Sequence, residues 1–317
     1  MTKWKPISLD GIRTYPLKER VSKIGIDDFG RPWISGGDFQ DWINALPQVL
    51  AGQDLRKVAD KIVKAVKSRK MVILAMGAHP IKVGLNPVII DLMERGVISG
   101  LAMNGAGIIH DAELAMAGRT SEDVDAGIRG GEFGMAEETA RLLNSAISEG
   151  ARNGIGLGKA VGEMLVKGKF PYNRFSILAR AFDLDMPVTV HVAIGTDIIH
   201  IHPSADGASI GKTSHLDFRI FAGLVSRMEG GVFINLGSAV IMPEVFLKAL
   251  TLARNLGHTV KDITTINMDF MKGYRPMTNV VQRPTLDGGE GYSLFGHHEI
   301  MFPLLAAIVV ERLQDKI

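Results

Sequence analysis

The sequence predicts an α/β protein built on a doubly wound, mostly parallel β-sheet. Five short apolar runs alternate with segments of helical periodicity, and their continuous hydrophobicity is typical of strands buried on both faces. Glycine is frequent, with 36 residues among 317, and it concentrates where the apolar runs end. Glycine-rich turns at strand ends are where ligands bind in such sheets, so the fold class directs attention to those turns.

The strands are predicted from the apolar runs themselves. Segments of crossover length separate the runs, which favours right-handed strand–helix–strand units. We therefore expect a Rossmann-like sheet. The predicted strands are Met71–Met76, Val97–Met103, Pro187–Ile194, Gly231–Leu236 and Ile263–Met268.

The helices are predicted from apolar spacing together with terminal signals. Asn86 and Pro87 are expected as N-cap and first residue of one helix, and Pro243 as the first residue of another. Thr120-Ser-Glu-Asp123 fits a capping box. The other predicted helices are Phe39–Leu50, Asp54–Arg69, one beginning near Ile108, Met135–Glu149, Ile155–Val166, Asn173–Phe182, His215–Met228 and Glu299–Leu313.

Two regions are predicted along the chain. Residues 1–53 mix proline, glycine, tryptophan and charges without clear periodicity, so we expect an irregular N-terminal arm. Residues 54–317 contain no linker-like stretch and are predicted to form a single Rossmann-like domain. Near its end, the glycine-rich segment Arg275–His298 leads into the last predicted helix.

The composition narrows the class of protein. There is no cysteine, which excludes disulfides, thiolate nucleophiles and cysteine-ligated metal sites. A net charge of +2 without a dense basic stripe predicts neither nucleic-acid nor membrane binding. The apolar stretches are too short for a membrane span and the first residues lack the layout of a signal peptide, so we expect a cytoplasmic protein.

Glycine or polar residues follow every predicted strand. Any one of these turns could be plain turn chemistry, but five in one chain favour a shared ligand site at the carboxyl edge of the sheet. Asn104–Gly107 precedes a helix and can present backbone N–H groups to a phosphate, although it is not a complete dinucleotide-binding fingerprint. The candidates are Gly77–His79, Asn104–Gly107 with His110 and Asp111, Gly195–Asp197, Gly237–Ala239 and Asn267–Asp269.

Asp197, Asp206 and Asp217 are weighed as general bases or ribose-binding groups. Asp197 comes shortly after a predicted strand and is the better candidate. Asp217 is expected on the solvent side of a helix.

Histidine placement is compatible with two chemistries. His200 and His202 alternate with isoleucines, so in an extended segment both would point to one face, as a pair of metal ligands does. With His297, His298 or Glu299 they would form the site of a metal-dependent hydrolase or lyase. Alternatively, no metal is bound and the histidines line a polar cleft, since no carboxylate is clearly spaced to complete a ligand set.

Two glycine–lysine segments look like phosphate-binding loops but fail the pattern. Gly207–Thr213 is one residue short of a Walker A motif, with Asp206 at the position of its first glycine. Gly154–Ala160 lacks that glycine and also the magnesium-binding hydroxyl. A P-loop NTPase is therefore disfavoured.

From about Met71 to Ile300, the order of the turns resembles the deoxyhypusine synthase family. The likeness follows motif order rather than close identity. The segments that carry it are Gly77–Gly84, Gly105–Ile108 with His110 and Asp111, Gly195–Ile198, Asn235–Ala239, Ile266–Met268 and the acidic loop Leu286–Gly291.

This resemblance implies an NAD-binding homotetramer with its sites between paired subunits. Members of the family oxidise spermidine and pass an aminobutyl group to a partner protein through an enzyme-lysine imine. Substrate contacts would fall on Asp111 and the late loop. The NAD contacts implied by the resemblance are Gly77, Ala106, Gly107, Asp197, Gly237, Ser238 and Asp287.

The chain departs from the family where the covalent chemistry occurs. The synthases carry Ser-Trp-Gly-Lys, whose lysine forms the imine, and the matching residues here are Leu294–His297. Imidazole forms no Schiff base with an aldehyde-like carbon, so the covalent relay is not expected. Val240–Met242 likewise replace the Lys-His-His that follows the triple glycine of the family.

The predicted function is that of an NAD-linked transferase or oxidoreductase without a lysine imine. Its substrate would be small and polar, either polyamine-like or hydroxylated. His297 or His298 would serve as general acid or base, because imidazole titrates near neutrality, and Asp111 would lie at the same site. Two alternatives stay open: the metal-dependent hydrolase or lyase, and a non-catalytic nucleotide-binding protein.

Overall fold

The computed structural model describes residues 4–314. By its contacts the chain divides into two compact units, Met1–Gln53 and Asp54–Ile317. The assignment of the first as an irregular arm and of the second as a single domain stays a prediction. The first unit contains the 3₁₀ turns Leu17–Glu19 and Ile26–Asp28.

A short helix, α1 (Phe39–Ala45), closes the first unit. Asp38 caps it by accepting a hydrogen bond from the Asp41 N–H at 2.8 Å. The predicted continuation to Leu50 is wrong, because Leu46 precedes a proline and adopts an extended conformation.

Within the described residues, one sheet contains six strands: β1 (Val72–Met76), β2 (Gly100–Asn104), β3 (Val188–His191), β4 (Val232–Leu236), β5 (Thr264–Asp269) and β6 (Glu290–Phe295). All neighbouring pairs are parallel, and their order across the sheet is β3-β2-β1-β4-β5-β6. The predicted doubly wound, parallel fold is thereby confirmed. This is the strand order of dinucleotide-binding sheets, in which ligands bind where the order reverses, here between β1 and β4.

Five strands lie where the sequence predicts them, but β6 falls inside the glycine-rich segment Arg275–His298, where no strand is predicted. It is an edge strand in which only Tyr292 and Leu294 are buried. Glycine and exposed residues interrupt its pattern, so it lacks the continuous apolar run that marks the other strands. The sequence predicts no helix or strand in Arg275–His298, yet its first half is helical, with Met277–Gln282 and Arg283–Thr285, and its second half contains β6.

The helices of the second part of the chain run between the strands and cover both faces of the sheet. Within residues 4–314 they are α2 (Leu50–Lys67), α3 (His79–Lys82), α4 (Asn86–Glu94), α5 (Gly105–Ala117), α6 (Val124–Gly127), α7 (Glu137–Asn153), α8 (Leu157–Gly168), α9 (Ile177–Asp183), α10 (Gly207–Val225), α11 (Ile241–Asn255), α12 (Tyr274–Pro276) and α13 (His298–Gln314). A π-helical segment, Met277–Gln282, follows α12. No helix in this range is long and apolar enough to cross a membrane.

Helix α10 begins at Gly207, well before the predicted His215. The carboxylate of Asp206 accepts hydrogen bonds from the N–H groups of Ala208 and Ser209, each at 3.2 Å, and this cap starts the helix. The first turns of α10 are polar and contain glycine, so the spacing of apolar residues does not reveal where the helix begins.

Two predicted helix starts are displaced by one or two residues. Helix α11 begins at Ile241 rather than Pro243, because the Ser238 hydroxyl accepts a hydrogen bond from the N–H of Met242. Helix α4 has Leu85 as its N-cap, so Asn86 is already helical.

The capping box predicted at Thr120 is also wrong. Asp123 caps α6 by accepting from the Ala126 N–H at 3.2 Å. The Thr120 hydroxyl instead lies between Glu113 and His110 and bonds to both side chains.

The core lies on both faces of the sheet. Leu74 and Ile234 point towards Phe302 of α13, which we call the α13 face. On the opposite face, the α11 face, Phe233 stacks on Phe246 with ring centroids 3.7 Å apart. Burying one such side chain contributes about 1.5–3 kcal/mol. Consecutive strand residues thus enter opposite helical layers, as continuous apolar runs predict.

Asp111 of α5 joins three helices inside the protein. Its carboxylate accepts hydrogen bonds from the Ser176 hydroxyl at 2.5 Å and from the N–H groups of Ile177 and Leu178 at 2.8 and 3.0 Å. The amide of Asn86 in α4 donates a further bond at 3.0 Å. Burial raises the pKa of Asp111 to about 6, against the opposing effect of these donors. The first turn of α9 is therefore held by a carboxylate from another helix.

Asp217 of α10 is buried, so its predicted solvent exposure is wrong. Its Oδ2 accepts hydrogen bonds from the N–H groups of Gly158 at 2.9 Å and Val190 at 2.8 Å. Burial raises the pKa of Asp217 to about 7. One carboxylate thereby ties α10 to the start of α8 and to β3.

Replacing Asp111 tests this internal connection. The substitution Asp111→Ala leaves four buried donors without an acceptor and is expected to lower the free energy of unfolding by about 3 kcal/mol or more. The matched control is Asp91→Ala in α4, which removes only an exposed ion pair to Arg95 and should cost less than about 1 kcal/mol. Urea unfolding followed by circular dichroism measures both, and equal losses would contradict the assigned role.

Candidate functional site

The turns after β1 and β4 touch at the point where the strand order reverses. The Gly77 N–H donates to the Leu236 carbonyl oxygen at 3.2 Å. A Cβ on Gly77 would lie 2.5 Å from the carbonyl oxygen of Gly237, and Gly237 itself has a φ of +65°. A side chain at Gly77 would require the backbone of the β4 turn to shift, and one at Gly237 would meet the ring of His298 and hold a strained left-handed backbone. The switch point, where the strand order reverses, is therefore lined by main-chain atoms without side chains.

Buried amides support the β4 turn from beneath. The Asn235 side-chain amide donates to the Ser238 carbonyl oxygen at 3.0 Å and to Oδ1 of Asn267 in β5 at 2.8 Å. Ser238 is itself buried, and its hydroxyl accepts from Met242 at the start of α11. The predicted site residue Ser238 thus has a structural role in shaping the turn.

His298 opens α13 directly against this turn. Its Nε2 lies 3.2 Å from the Met268 carbonyl oxygen and must donate to it, which leaves Nδ1 unprotonated. Nδ1 is buried and has no hydrogen-bond partner in the described residues. Burial lowers the pKa of His298, which favours the neutral form of the ring beside Gly237.

Four rings lie close together at this part of the carboxyl edge of the sheet. We call them the imidazole cluster: His79, Phe270, His297 and His298. The rings of His79 and His298 meet edge to face with centroids 5.2 Å apart. His297 lies parallel to Phe270, at 6.4 Å between centroids and an interplanar angle of 6°. The side chain of His297 is 72% exposed, which makes it the predicted catalytic residue that a substrate can reach.

The turns after β2 and β3 also come together. Helix α5 starts at Gly105 rather than near Ile108, and the side chain of Asn104 caps it by accepting from the Gly107 N–H at 3.1 Å. A Cβ on Gly105 would lie 2.0 Å from Oδ2 of Asp197. A carboxylate thus sits against the first turn of α5, where the helix dipole favours negative charge. Burial raises the pKa of this carboxyl, which is consistent with its unpartnered Oδ2.

His200 belongs to this group, but His202 does not. His200 lies in the 3₁₀ turn Ile198–Ile201, where its Nδ1 accepts from the N–H groups of Gly195 and Asp197 and its Nε2 is 3.8 Å from the Asp197 carboxylate. His202 is bonded to Ser204 near the surface. The extended segment with both histidines on one face is therefore wrong, because a helical turn replaces the strand.

The described side chains in this arrangement do not provide the ligands of a metal site. Among residues 4–314, no three histidine, aspartate or glutamate side chains converge in a way that could hold a metal ion. The metal-dependent hydrolase or lyase required such a set from His200 and His202 with the late histidines, and the structure does not assemble it.

A cavity of about 450 Å³ opens on the α11 face, between α10, α11 and the end of β3. Its polar lining comes from His191, Ser214, His215 and Glu244, and Val240 and Phe218 supply apolar walls. Burial lowers the pKa of His191 to about 3, so this ring is neutral as well. The size of the cavity is in the range of small-molecule sites.

The structure does not bring every predicted site residue to this edge. Ala106 is half-exposed on the first turn of α5, and Gly107 packs against Met103 of β2. Asp111 faces the interior, with its carboxylate occupied by the contacts described above. Asp287 is exposed just before β6, whose first residue pairs with the first residue of β5. Asp287 therefore lies at the amino edge of the sheet, opposite the other candidates.

Phe270, Ser214 and Glu244 are site residues that the sequence patterns did not single out. Phe270 had a usable signal, since a large aromatic residue directly after a buried strand is left exposed at the carboxyl edge. Ser214 and Glu244 lie within helices, and only the packing of α10 beside α11 places them on one cavity.

Several solved structures share this fold. A protein assigned as a deoxyhypusine synthase from Entamoeba histolytica matches with a TM-score of 0.54 and 14% identity, over 89% of this chain and 96% of that one. A conserved LOR/SDH protein from Methanococcus maripaludis matches with a TM-score of 0.53 and 15% identity, over 84% of this chain and 71% of that one. AgrE, in a ternary complex with ornithine and NAD⁺, matches with a TM-score of 0.54 and 15% identity over 81% of this chain. Only 33% of the AgrE chain is covered.

No model of a protein family matches the sequence, and no curated protein matches it significantly. At these identities the structural likeness shows the fold. The chain has the fold of the deoxyhypusine synthase-like protein almost from end to end, so the resemblance predicted from motif order is confirmed at that level.

The close approach at the switch point can be tested through its glycine. Gly77→Ala is expected to lower the free energy of unfolding by about 1–3 kcal/mol, because the new Cβ meets a carbonyl oxygen of fixed backbone. Gly211→Ala, inside α10 with open space around it, should instead stabilise the protein by about 0.4–1 kcal/mol. Chemical denaturation compares the two, and a neutral Gly77→Ala would show that the turns can separate.

Proposed function

We propose that this chain is an NAD-dependent oxidoreductase or transferase acting on a small polar substrate, either polyamine-like or hydroxylated. The proposal is carried by the contact of Gly77 with Gly237 at the switch point, flanked by the imidazole cluster and by the His191 cavity. Bare main chain at a switch point lets the phosphates of a dinucleotide approach closely. The flanking side chains supply orientation and proton transfer.

In this proposal the cofactor lies along the carboxyl ends of β2, β1 and β4. The first turn of α5, around Ala106, offers the positive end of a helix dipole. Asp197 beside it suits ribose hydroxyls, because a carboxylate accepts hydrogen bonds from hydroxyl groups and repels a phosphate. The complex of AgrE with ornithine and NAD⁺ supports a dinucleotide and a small amine on this fold.

His297 is the proposed acid–base residue. It is exposed and is oriented by its stacking on Phe270, so its ring can take a proton from an alcohol or amine of the substrate. Bound NAD would supply the hydride acceptor. His298 is a positioning residue in this scheme, since its buried neutral ring holds the β4 turn through the Met268 carbonyl.

The covalent relay of the deoxyhypusine synthases is not part of the proposal. His297 stands where that family carries the imine-forming lysine, and an imidazole cannot take this role. The homotetramer and the cytoplasmic location predicted from the sequence belong to the proposal. Light scattering of the purified chain tests the assembly.

NAD binding is the first expected outcome. Calorimetry at millimolar NAD should show saturable heat, and Ala106→Asp should weaken binding at least tenfold by placing a second carboxylate at the start of α5. Leu256→Asp, exposed at the far end of α11, is the charge-matched control and should bind normally. No heat and no thermal shift at saturating NAD would refute the proposal.

The second expected outcome concerns chemistry. Incubation with NAD, spermidine and a competent acceptor protein should give no aminobutyl transfer by mass spectrometry. With a substrate that is turned over, His297→Gln should reduce the rate at least tenfold, within the usual range for loss of a general acid–base group, while NAD affinity is unchanged. Robust transfer by the wild-type chain would show that a lysine elsewhere forms the imine. NAD binding without turnover of any amine or alcohol would favour the non-catalytic alternative.

A further inference from the structure

A second cavity lies at the opposite edge of the sheet, beside the amino end of β3. Its volume is about 340 Å³, which suits a small molecule. The turn between α7 and α8, the end of α9 and one side of α10 enclose it. Its apolar lining comes from Ile155, Leu178, Phe182, Pro187, Leu216 and Ile220.

Asp217 is the buried polar group of this cavity. Its Oδ2 is occupied by the two backbone donors described above, whereas its Oδ1 is buried without any hydrogen-bond partner in the described residues. The other charged lining residues, Lys159 and Asp185, are exposed and of opposite sign. When Asp217 is ionised, the lining therefore carries a net negative charge.

The glycines of the Gly154–Lys159 segment explain how the chain approaches this carboxylate. A Cβ on Gly156 would lie 1.8 Å from Oδ1 of Asp217, and a Cβ on Gly158 would lie 2.2 Å from the Val188 carbonyl oxygen. The wall beside Oδ1 is thus main chain without side chains. Oδ1 reaches an occupant of the cavity only if this turn moves outward.

We propose that this cavity binds a small primary amine as its ammonium ion. A carboxylate oxygen only accepts hydrogen bonds, so the occupant must donate one to Oδ1 of Asp217. The apolar walls at Phe182 and Leu216 require a hydrocarbon body, and the net negative lining disfavours an acid. The site is separate from the carboxyl edge of the sheet, so it stands whether or not NAD binds there.

The full-length chain can be tested with three probes of equal length: n-hexylamine, n-hexanol and hexanoate. At pH 8, above the pKa of Asp217, hexylamine should bind saturably with one site per chain and at least tenfold more tightly than hexanol. Hexanoate should not bind. Amide shifts in NMR spectra should be confined to the Gly154–Lys159 turn and the middle of α10. Equal binding of amine and alcohol, or shifts at the carboxyl edge instead, would overturn the proposal.

Two variants separate the carboxylate from the cavity. Asp217→Asn should abolish the preference for amine over alcohol. Leu216→Trp, which fills the cavity from a half-buried position without touching the carboxylate, should abolish binding of both probes, whereas Leu184→Trp outside the cavity should leave binding unchanged. If Asp217→Asn does not fold, the probe comparison and Leu216→Trp decide. Undiminished hexylamine binding by Leu216→Trp contradicts the assignment.

Discussion

The contact between the Gly77 and Gly237 turns is the constraint on which the candidate site depends. Two central parallel strands end at the same height, and their following turns meet with no room for a Cβ on Gly77. Because the strand order reverses at this contact, the chain leaves β1 and β4 in opposite directions. The opening between the two turns, the placement of His298 above Gly237 and the start of α11 all follow from that arrangement.

Buried and exposed ionisable groups have different roles in this protein. Asp111 and Asp217 sit among backbone donors and tie helices to the sheet. Burial alone would make such carboxylates look functional, because it raises their pKa values in the way that active sites also do. The reachable groups are imidazoles, and the side chain of His297 is 72% exposed. Burial therefore separates structural from chemical candidates here better than titration does.

The sequence predicts the architecture well because apolar continuity and glycine turns are local signals. Strands β1 to β5 each carry such a run and lie where it predicts. Strand β6 does not, since glycine and exposed residues interrupt its pattern, and its place depends on pairing with β5. Long-range contacts decide the other errors too. The burial of Asp217 requires α8 and β3, and the position of Asp287 requires the register of β6. The spacing of residues along the sequence predicts neither the burial of Asp217 nor the position of Asp287.

Parallel pairing at the centre of the sheet also determines when the candidate site forms during folding. Strand β1 pairs with β4, so Ile73 meets Phe233 only after the whole intervening chain has been looped out. Closing so long a loop is entropically costly and slow. During synthesis, β1 leaves the ribosome long before its partner, with one edge of its apolar backbone unpaired. The opening between the turns is thus a late product of folding.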